Sequence, residues 1–303
     1  MFTDIGQHRC MHLLSIPLRG ALLALASFFA YACTDVSIKA LGHGMSAFQV
    51  MFLAALCTIP PVLMQIFWVD RKASLRPALP GLTALRVVIS VIGSAFVTYT
   101  FTHLPLEQCY AVFFTMPLII TVLAWPLLGE PIDPLRGVII LIGFVGELIA
   151  LQPGSTSFQL AHLAAVGGAI TGALNSLILR KIGHREKAGV ILLYPVLAQL
   201  LGAGLIMPFV WQPLTAADWY VGIQMGFLGT AGGLFIIAAY RTAPAIVVAP
   251  MQYSQIIWAS LLGYVLWGER PTLYTTMGIA VIVAAGMALL FVAGRRAPSL
   301  SAA

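Results

Sequence analysis

Two ionisable side chains, Asp35 and Lys39, lie one helical turn apart inside the first long apolar run of this 303-residue chain. A carboxylate held at mid-bilayer costs about 2.5 to 3.5 kcal/mol on insertion scales, so Asp35 is not expected to face lipid. Either it meets a cationic group or a proton in a wet cavity, with Lys39 balancing it at the mouth, or the two form a structural ion pair with Lys39 snorkelling outward. Asn175, the only asparagine in the chain, sits in another apolar run. It can contact a solute or act as a hydrogen-bonded tie between helices. Behind Pro250, the residues Gln252, Gln255 and, more loosely, Trp258 recur at helical spacing, with Tyr253 beside them. Proline has no N–H and disturbs the preceding turn, which frees carbonyls that need a partner or water. A polar stripe beside such a turn suits the lining of a cavity, and helix packing is the alternative. Tyr99, Tyr110 and Phe114 offer aromatic surface to a flat or cationic solute, or simply pack. Arg86 is a candidate for closing a gate or binding an anionic group, or for anchoring its helix at the membrane surface. Glu147 could couple a proton or reach the nearby interface.

Composition decides what can surround these residues. Of the chain, 60% is hydrophobic and 9% charged, with mean hydropathy +0.97. Soluble domains carry about a quarter charged residues, so too few remain here to cover a water-facing surface. The net charge of +6 is spread over short connections rather than along one face, which argues against a nucleic-acid partner. Cys10, Cys33, Cys57 and Cys109 have no CxxC spacing and read as small apolar residues. No metal-ligand spacing and no nucleotide-binding loop occurs, so neither metal nor cofactor is expected.

About ten helical segments are long enough to cross a hydrocarbon core of roughly 30 Å. They cover 19–41, 47–68, 80–102, 106–128, 134–151, 160–181, 189–210, 218–241, 244–267 and 272–294. With the amino terminus inside, 14 of the 16 lysines and arginines fall on the cytoplasmic side, Lys39 and Arg270 being the exceptions. Both termini are then cytoplasmic. The run Pro105–Glu130 also has a sibling, Pro244–Glu269, at an offset of 139 that matches the opening proline and the closing Gly-Glu. The first segment matches the sixth at an offset of 141, which sets Asn175 and Ser176 under Thr34 and Asp35. Each half holds five spans, an odd number, so the second enters the membrane from the opposite side. Inverted repeats of this kind are a recurring architecture of secondary transporters, with the site near the midplane between the halves. The fold expected is an all-α integral membrane protein, two inverted five-helix repeats (19–151 and 160–294) around a central cavity, flanked by cytoplasmic ends 1–18 and 295–303.

The runs HLPLEQCYAVFFTMPLIITVLAWPLLGE, LIGFVGELIAL and AYRTAPAIVVAPMQYSQIIWASLLGYVLWGE, with Arg86 opening the third segment, resemble the drug/metabolite transporter superfamily in its bacterial EamA-type branch. The resemblance covers residues 18 to 295. It implies a pseudo-two-fold bundle in a bacterial inner membrane that carries small organic solutes by alternating access, often outward. The implied solutes are amino acids, cofactor-like molecules or drug-like cations. The implied cavity is lined by helices one, three, four, six, eight and nine, with five and ten peripheral. The chain departs from the family pattern at Gln49, where an arginine is common, and at Glu147, where an aliphatic residue is usual.

The sequence therefore points to a non-enzymatic carrier, a monomer or homodimer in a lipid bilayer, whose partners are a small-molecule substrate and a candidate coupled proton. An intramembrane enzyme would need a second catalytic group converging on Asp35, and Glu107 and Glu147 occur singly on other spans. A lipid-handling or channel-like protein is the other alternative, and no ring of charges marks an ion pore.

Overall fold

The computed structural model describes residues 16–42, 44–68, 75–104, 106–130, 133–151, 159–267 and 272–295. Expectations for residues 1–15 and 296–303, for the Gly268-Glu269 corner and for the side chain of Glu147 lie outside what is described. Among the described residues every regular element is helical. Five helices are long and apolar enough to cross a membrane unbroken: α1 (Ile16–Gly42), α2 (Ala47–Trp68), α3 (Pro80–His103), α7 (Leu160–Ile182) and α10 (Ala216–Thr242). The other spans are α4 (Leu106–Phe113) with α5 (Met116–Leu128), then α6 (Pro134–Leu151), then α8 (Ala188–Gly204) with α9 (Met207–Val210). The last two are α11 (Ala245–Val248), continued through 3₁₀ turns at Ala249–Ser254 into α12 (Gln255–Trp267), and α13 (Leu273–Arg295).

Three of the ten expected segments are thus interrupted, and prolines account for the positions. Pro117 has no N–H for the carbonyl of Phe113, where α4 ends. Pro208 leaves the carbonyl of Gly204 unpaired between α8 and α9, and Pro250 does the same to Ile246 at the 3₁₀ turns. The breaks in the fourth and ninth spans end at Thr115 and Ser254, the residues that the 139-residue offset superposes. The two breaks differ in kind, a two-residue turn against six residues of 3₁₀ helix, but they end at matching positions.

The Gly-Glu corner also has a physical reason. Gly129 closes α5 with φ 69°, a left-handed conformation that side chains with a Cβ rarely adopt. Its N–H reaches the carbonyl of Trp125 at 2.9 Å, the bond of an αL cap, and the N–H of Glu130 approaches the carbonyl of Ala124 at 3.4 Å. Glu130 is thereby aimed back at the other half of the molecule.

Helices pack in the pattern a two-fold requires. α1 lies along α10 and α3 along α7, two contacts that the pseudosymmetry exchanges. α2 packs on α8, and α6 on α13, each span against its own counterpart. The outer surface is apolar, with Phe209, Leu201 and Val122 among its most exposed side chains, as a lipid-facing surface requires. Exposed Trp211, Trp219, Tyr220 and Tyr274 gather near helix ends, where amphipathic rings suit the membrane interface.

Small residues set the closest approaches. A methyl added at Gly226 would overlap the carbonyl of Cys57 on α2, so the α2–α10 crossing requires glycine there. Gly229, one turn on, has open space around it. Replacing Gly226 by alanine is expected to cost about 1–3 kcal/mol through overpacking, whereas Gly229→Ala leaves the crossing intact. Thermal unfolding of the two purified variants in detergent checks this, and equal melting temperatures for both would contradict it.

Candidate functional site

Two hollows of about 280 and 430 Å³ lie inside the bundle and share the lining residues Tyr31, Arg86, Val97, Met116, Gly172 and Asn175. The smaller is walled by spans one, three, four, six, eight and nine, the set that the family resemblance implies. The larger has no lining residue from span nine and takes in spans two and seven, through Thr58 and Gln199 among others, which differs from the expected lining.

Asp35 projects into the smaller hollow from α1. Its Oδ2 accepts from the Tyr110 hydroxyl at 3.2 Å and from Gln255 Nε2 at 3.0 Å. Spans four and nine, one from each half, therefore hold the same carboxylate. The ion pair with Lys39 that its spacing allowed does not form. Lys39 donates instead to the carbonyl of Leu104 at 2.8 Å, the residue that ends α3. Two neutral donors hydrogen-bond Asp35 without neutralising its charge, so a ligand cation or a proton can compete for it.

Arg86 lies deep in the bundle, 8% exposed, and lines both hollows. Its Nη1 donates at 2.7 Å to the carbonyl of Ile191 in the other half. Pro195 explains why that oxygen is available, because it removes the N–H that would otherwise bond Ile191. Arg86 Nε is buried without a hydrogen-bond partner.

Gln252 repeats the arrangement from the other side. Its Nε2 approaches the carbonyl of Phe113, freed by Pro117, at a long 3.5 Å. Asn175 accepts from the Ser90 hydroxyl at 3.2 Å and also lines both hollows. Asp35, Tyr110, Asn175, Gln252, Gln255 and Arg86 are thus brought together around one interior space.

The remaining candidates are placed elsewhere. Tyr99 stacks on His103 with ring centroids 4.0 Å apart, outside both hollows. Phe114 is fully buried beneath Tyr110, stacked at 5.3 Å, and supports that ring rather than the cavity. Tyr253 turns toward Gly143 and the packed fifth and tenth spans. Trp258 meets Phe29 edge-on at 5.1 Å. The 3₁₀ turns rotate residues 252 to 255 off ideal helical spacing, so the stripe read from Gln252 to Trp258 divides between cavity and packing. The backbone at Glu147 lies in α6, on the peripheral α6–α13 pair. Among the described residues, no group of three His, Cys, Asp or Glu side chains converges as a metal site.

Several lining residues carried a sequence signal that type-by-type reading passed over. Tyr31, Thr34 and Ile38 share one face of α1 with Asp35, and Ser90, Gly93 and Ser94 share one face of α3 with Arg86. Small and polar residues at helical spacing inside an apolar span mark such a wall.

A second polar cluster ties the halves together at the basic end of the bundle, where Arg136, Arg180, Lys181 and Arg185 lie. Glu130 accepts from Arg180 Nε at 2.9 Å and from the backbone N–H of Ala245 at 3.0 Å, which caps α11. Arg180 Nη1 also donates to the carbonyl of Tyr240 at 2.6 Å. Glu186, 3% exposed, accepts from the N–H of Leu79 at 2.7 Å and the Thr83 hydroxyl at 3.1 Å, at the start of α3. Arg241 Nη2 holds the Glu186 carbonyl at 2.7 Å. At the opposite end, Gln49 clamps Gln212 through two bonds, donating to its carbonyl at 2.6 Å and accepting from its N–H at 3.0 Å.

Comparison with known proteins now applies to a defined architecture. The EamA-like transporter family model matches twice, over residues 18–152 and 159–292. An S-adenosylmethionine uptake transporter of Rickettsia felis is 26% identical over 275 residues, covering 88% of this chain and 90% of that protein. A riboflavin transporter of Vibrio cholerae is 28% identical over 278 residues, covering 88% and 91%. A pseudopaline exporter of Pseudomonas aeruginosa is 24% identical over 279 residues, covering 89% and 95%. A solved crystal structure shares the fold with TM-score 0.74 at 18% identity, covering 92% of this chain and 99% of its own. Two family matches in tandem, on helices that pair about a two-fold, fix the assignment: the chain belongs to the EamA-like transporter family, multi-pass membrane proteins of ten helices in two inverted repeats, and it transports small molecules.

Proposed function

We propose that this protein is a secondary transporter that carries a small organic solute across the bacterial inner membrane by alternating access, with repeats at 19–151 and 160–294 and both termini cytoplasmic. The observation that carries the reading is Asp35, a carboxylate held between Tyr110 and Gln255 from opposite halves at the edge of an interior hollow that both halves line. A group shared by both halves changes its surroundings when the halves move, which is how a bound solute becomes coupled to a conformational exchange. Asp35 can take a proton or the cationic group of a solute but not both, so the same position suits proton exchange as well as solute binding.

The cluster around Glu130 and Glu186 fits the closed gate of such a cycle. It joins the halves at the end that the lysine and arginine distribution assigns to the cytoplasm. Relatives named for uptake and for export match the chain along the same length. Without nucleotide chemistry a carrier runs down the prevailing gradients, and the export suggested by family resemblance is one direction of a reversible cycle.

Asp35→Asn is expected to lower transport at least tenfold in proteoliposomes while the variant keeps its size-exclusion profile; a folded variant with unchanged rates would remove Asp35 from the mechanism. A short bis-maleimide joining cysteines placed at Thr83 and Glu186, in a background lacking the native cysteines, is expected to stop transport, because the two halves can no longer part there. Continued turnover by fully cross-linked protein would reject this cluster as a gate.

A further inference from the structure

A third hollow, of about 450 Å³, lies at the basic end of the bundle between the ends of the fourth and sixth spans. Leu127 and Leu128 of α5 line it, with Glu130 and, at the close of α7, Arg180, Lys181 and His184. Glu130 is the one acid among these, and both of its oxygens are engaged, Oε1 by Arg180 and Oε2 by the N–H of Ala245. Arg180 and Glu130 balance each other, so Lys181 leaves the hollow with a net positive charge. Lys181 and His184 are exposed, and among the described residues no hydrogen bond or ion pair engages either side chain. Arg180 uses Nε and Nη1 on Glu130 and the Tyr240 carbonyl, which leaves the donors of Nη2 to offer.

A cation in the last turn of a helix offsets its carbonyl end, and Arg180 and Lys181 both stand in that turn. This accounts for neither the concavity nor the unengaged donors. The repeat also separates frame from addition. At the inverted position Lys39 stands for Arg180, but Ala40 stands for Lys181, so the second cation belongs to this end alone. The other wall of the hollow is hydrocarbon. Leu127 is 44% exposed, and Val122 and Trp125, which precede Leu128 on α5 at three-residue steps, are exposed on the lipid-facing surface. A ligand that fits both walls joins a negative group to an apolar tail lying in the membrane.

We propose that this hollow seats an anionic phospholipid, with its phosphate among Arg180, Lys181 and His184 and an acyl chain along Val122 and Trp125 of α5. Basic pockets between spans at the cytoplasmic surface suit acidic headgroups, and the lysine and arginine distribution assigns this end to the cytoplasm. A phosphodiester brings one negative charge, which matches the net charge of the hollow, and its oxygens accept from all three basic side chains. A soluble phosphate would meet the same cations but leave the apolar wall uncovered. The bound lipid would sit beside the Glu130–Arg180 tie between the halves. The inference does not depend on which solute is carried or in which direction.

The test uses full-length protein purified in a non-ionic detergent, with lipid retention read by native mass spectrometry. Phosphatidylglycerol and phosphatidylcholine with identical acyl chains are offered together in equal amounts. Phosphatidylglycerol should be retained about fivefold over phosphatidylcholine, the preference that one basic residue confers at an anionic surface. Lys181→Gln combined with His184→Gln should bring this ratio close to one, and Arg180 is left intact because it also ties the halves. Lys181→Gln alone, at an exposed position, should lower the ratio and serves if the pair does not fold. Arg185→Gln combined with Lys187→Gln removes more charge from the same connection, at exposed positions outside the hollow, and should keep the preference. Glycerol 1-phosphate, which has the phosphate but no chains, should not displace the bound lipid. Equal retention of the two lipids, an unchanged ratio in the folded Lys181 variants, or the same loss in the Arg185 and Lys187 pair would overturn the inference. Displacement by glycerol 1-phosphate would overturn it too, by giving the hollow to a soluble phosphate.

Discussion

A carbonyl released by proline inside a membrane must find a donor within the protein, because lipid supplies none. Two such carbonyls of this chain lie where its halves meet and are approached by donors from the opposite half. Pro195 releases Ile191, and Arg86 of the first repeat takes it. Pro117 releases Phe113, and Gln252 of the second repeat approaches it. Pro61 releases Cys57, against which the bare backbone of Gly226 is packed. The polar residues that line the hollow are therefore also part of what joins the repeats.

Symmetry supplies the frame and asymmetry supplies the chemistry. Lys39 and Arg180, equivalent across the repeats, each donate to a carbonyl near the end of the helix they face, Leu104 and Tyr240. At the next equivalent position the pattern departs, since Asp35 is matched by Ser176, and only Asp35 brings a charge. The two-fold is thus broken by a charge in the hollow that both residues line. The Glu130 carboxylate shows the complementary use of a repeated frame: Gly129 turns the chain, and the glutamate then caps a helix of the other repeat.

Much of this was legible in the sequence. The offset that aligned the two Gly-Glu runs sets Thr115 over Ser254, where both breaks end, although the prolines behind those breaks, Pro117 and Pro250, do not fall at matching positions. Asp35 stood out because a lone carboxylate in an apolar run has few tolerable surroundings. Its partners did not, because Tyr110 and Gln255 lie 75 and 220 residues away and only packing brings them together. Helical spacing grouped Trp258 loosely with Gln252 and Gln255, but the 3₁₀ turns before α12 change that spacing, and Trp258 packs edge-on against Phe29. Glu186 was hidden for another reason: in the run GHREK it looks like one charge of a surface loop, and only the fold turns it under the start of α3.

The dependence of the fold on carbonyls answered across the repeats is tested most directly by a double-mutant cycle on Arg86 and Pro195. Removing the guanidinium with Arg86→Met should cost about 1.5–3 kcal/mol, the range for a hydrogen bond to a charged group, because the Ile191 carbonyl loses its donor. Pro195→Ala returns a backbone N–H to that carbonyl, so in this background the same removal should cost far less. Unfolding free energies of the four proteins, measured reversibly in one detergent, give the coupling. A clear interaction between the two substitutions is the predicted result, and strictly additive losses would contradict the account.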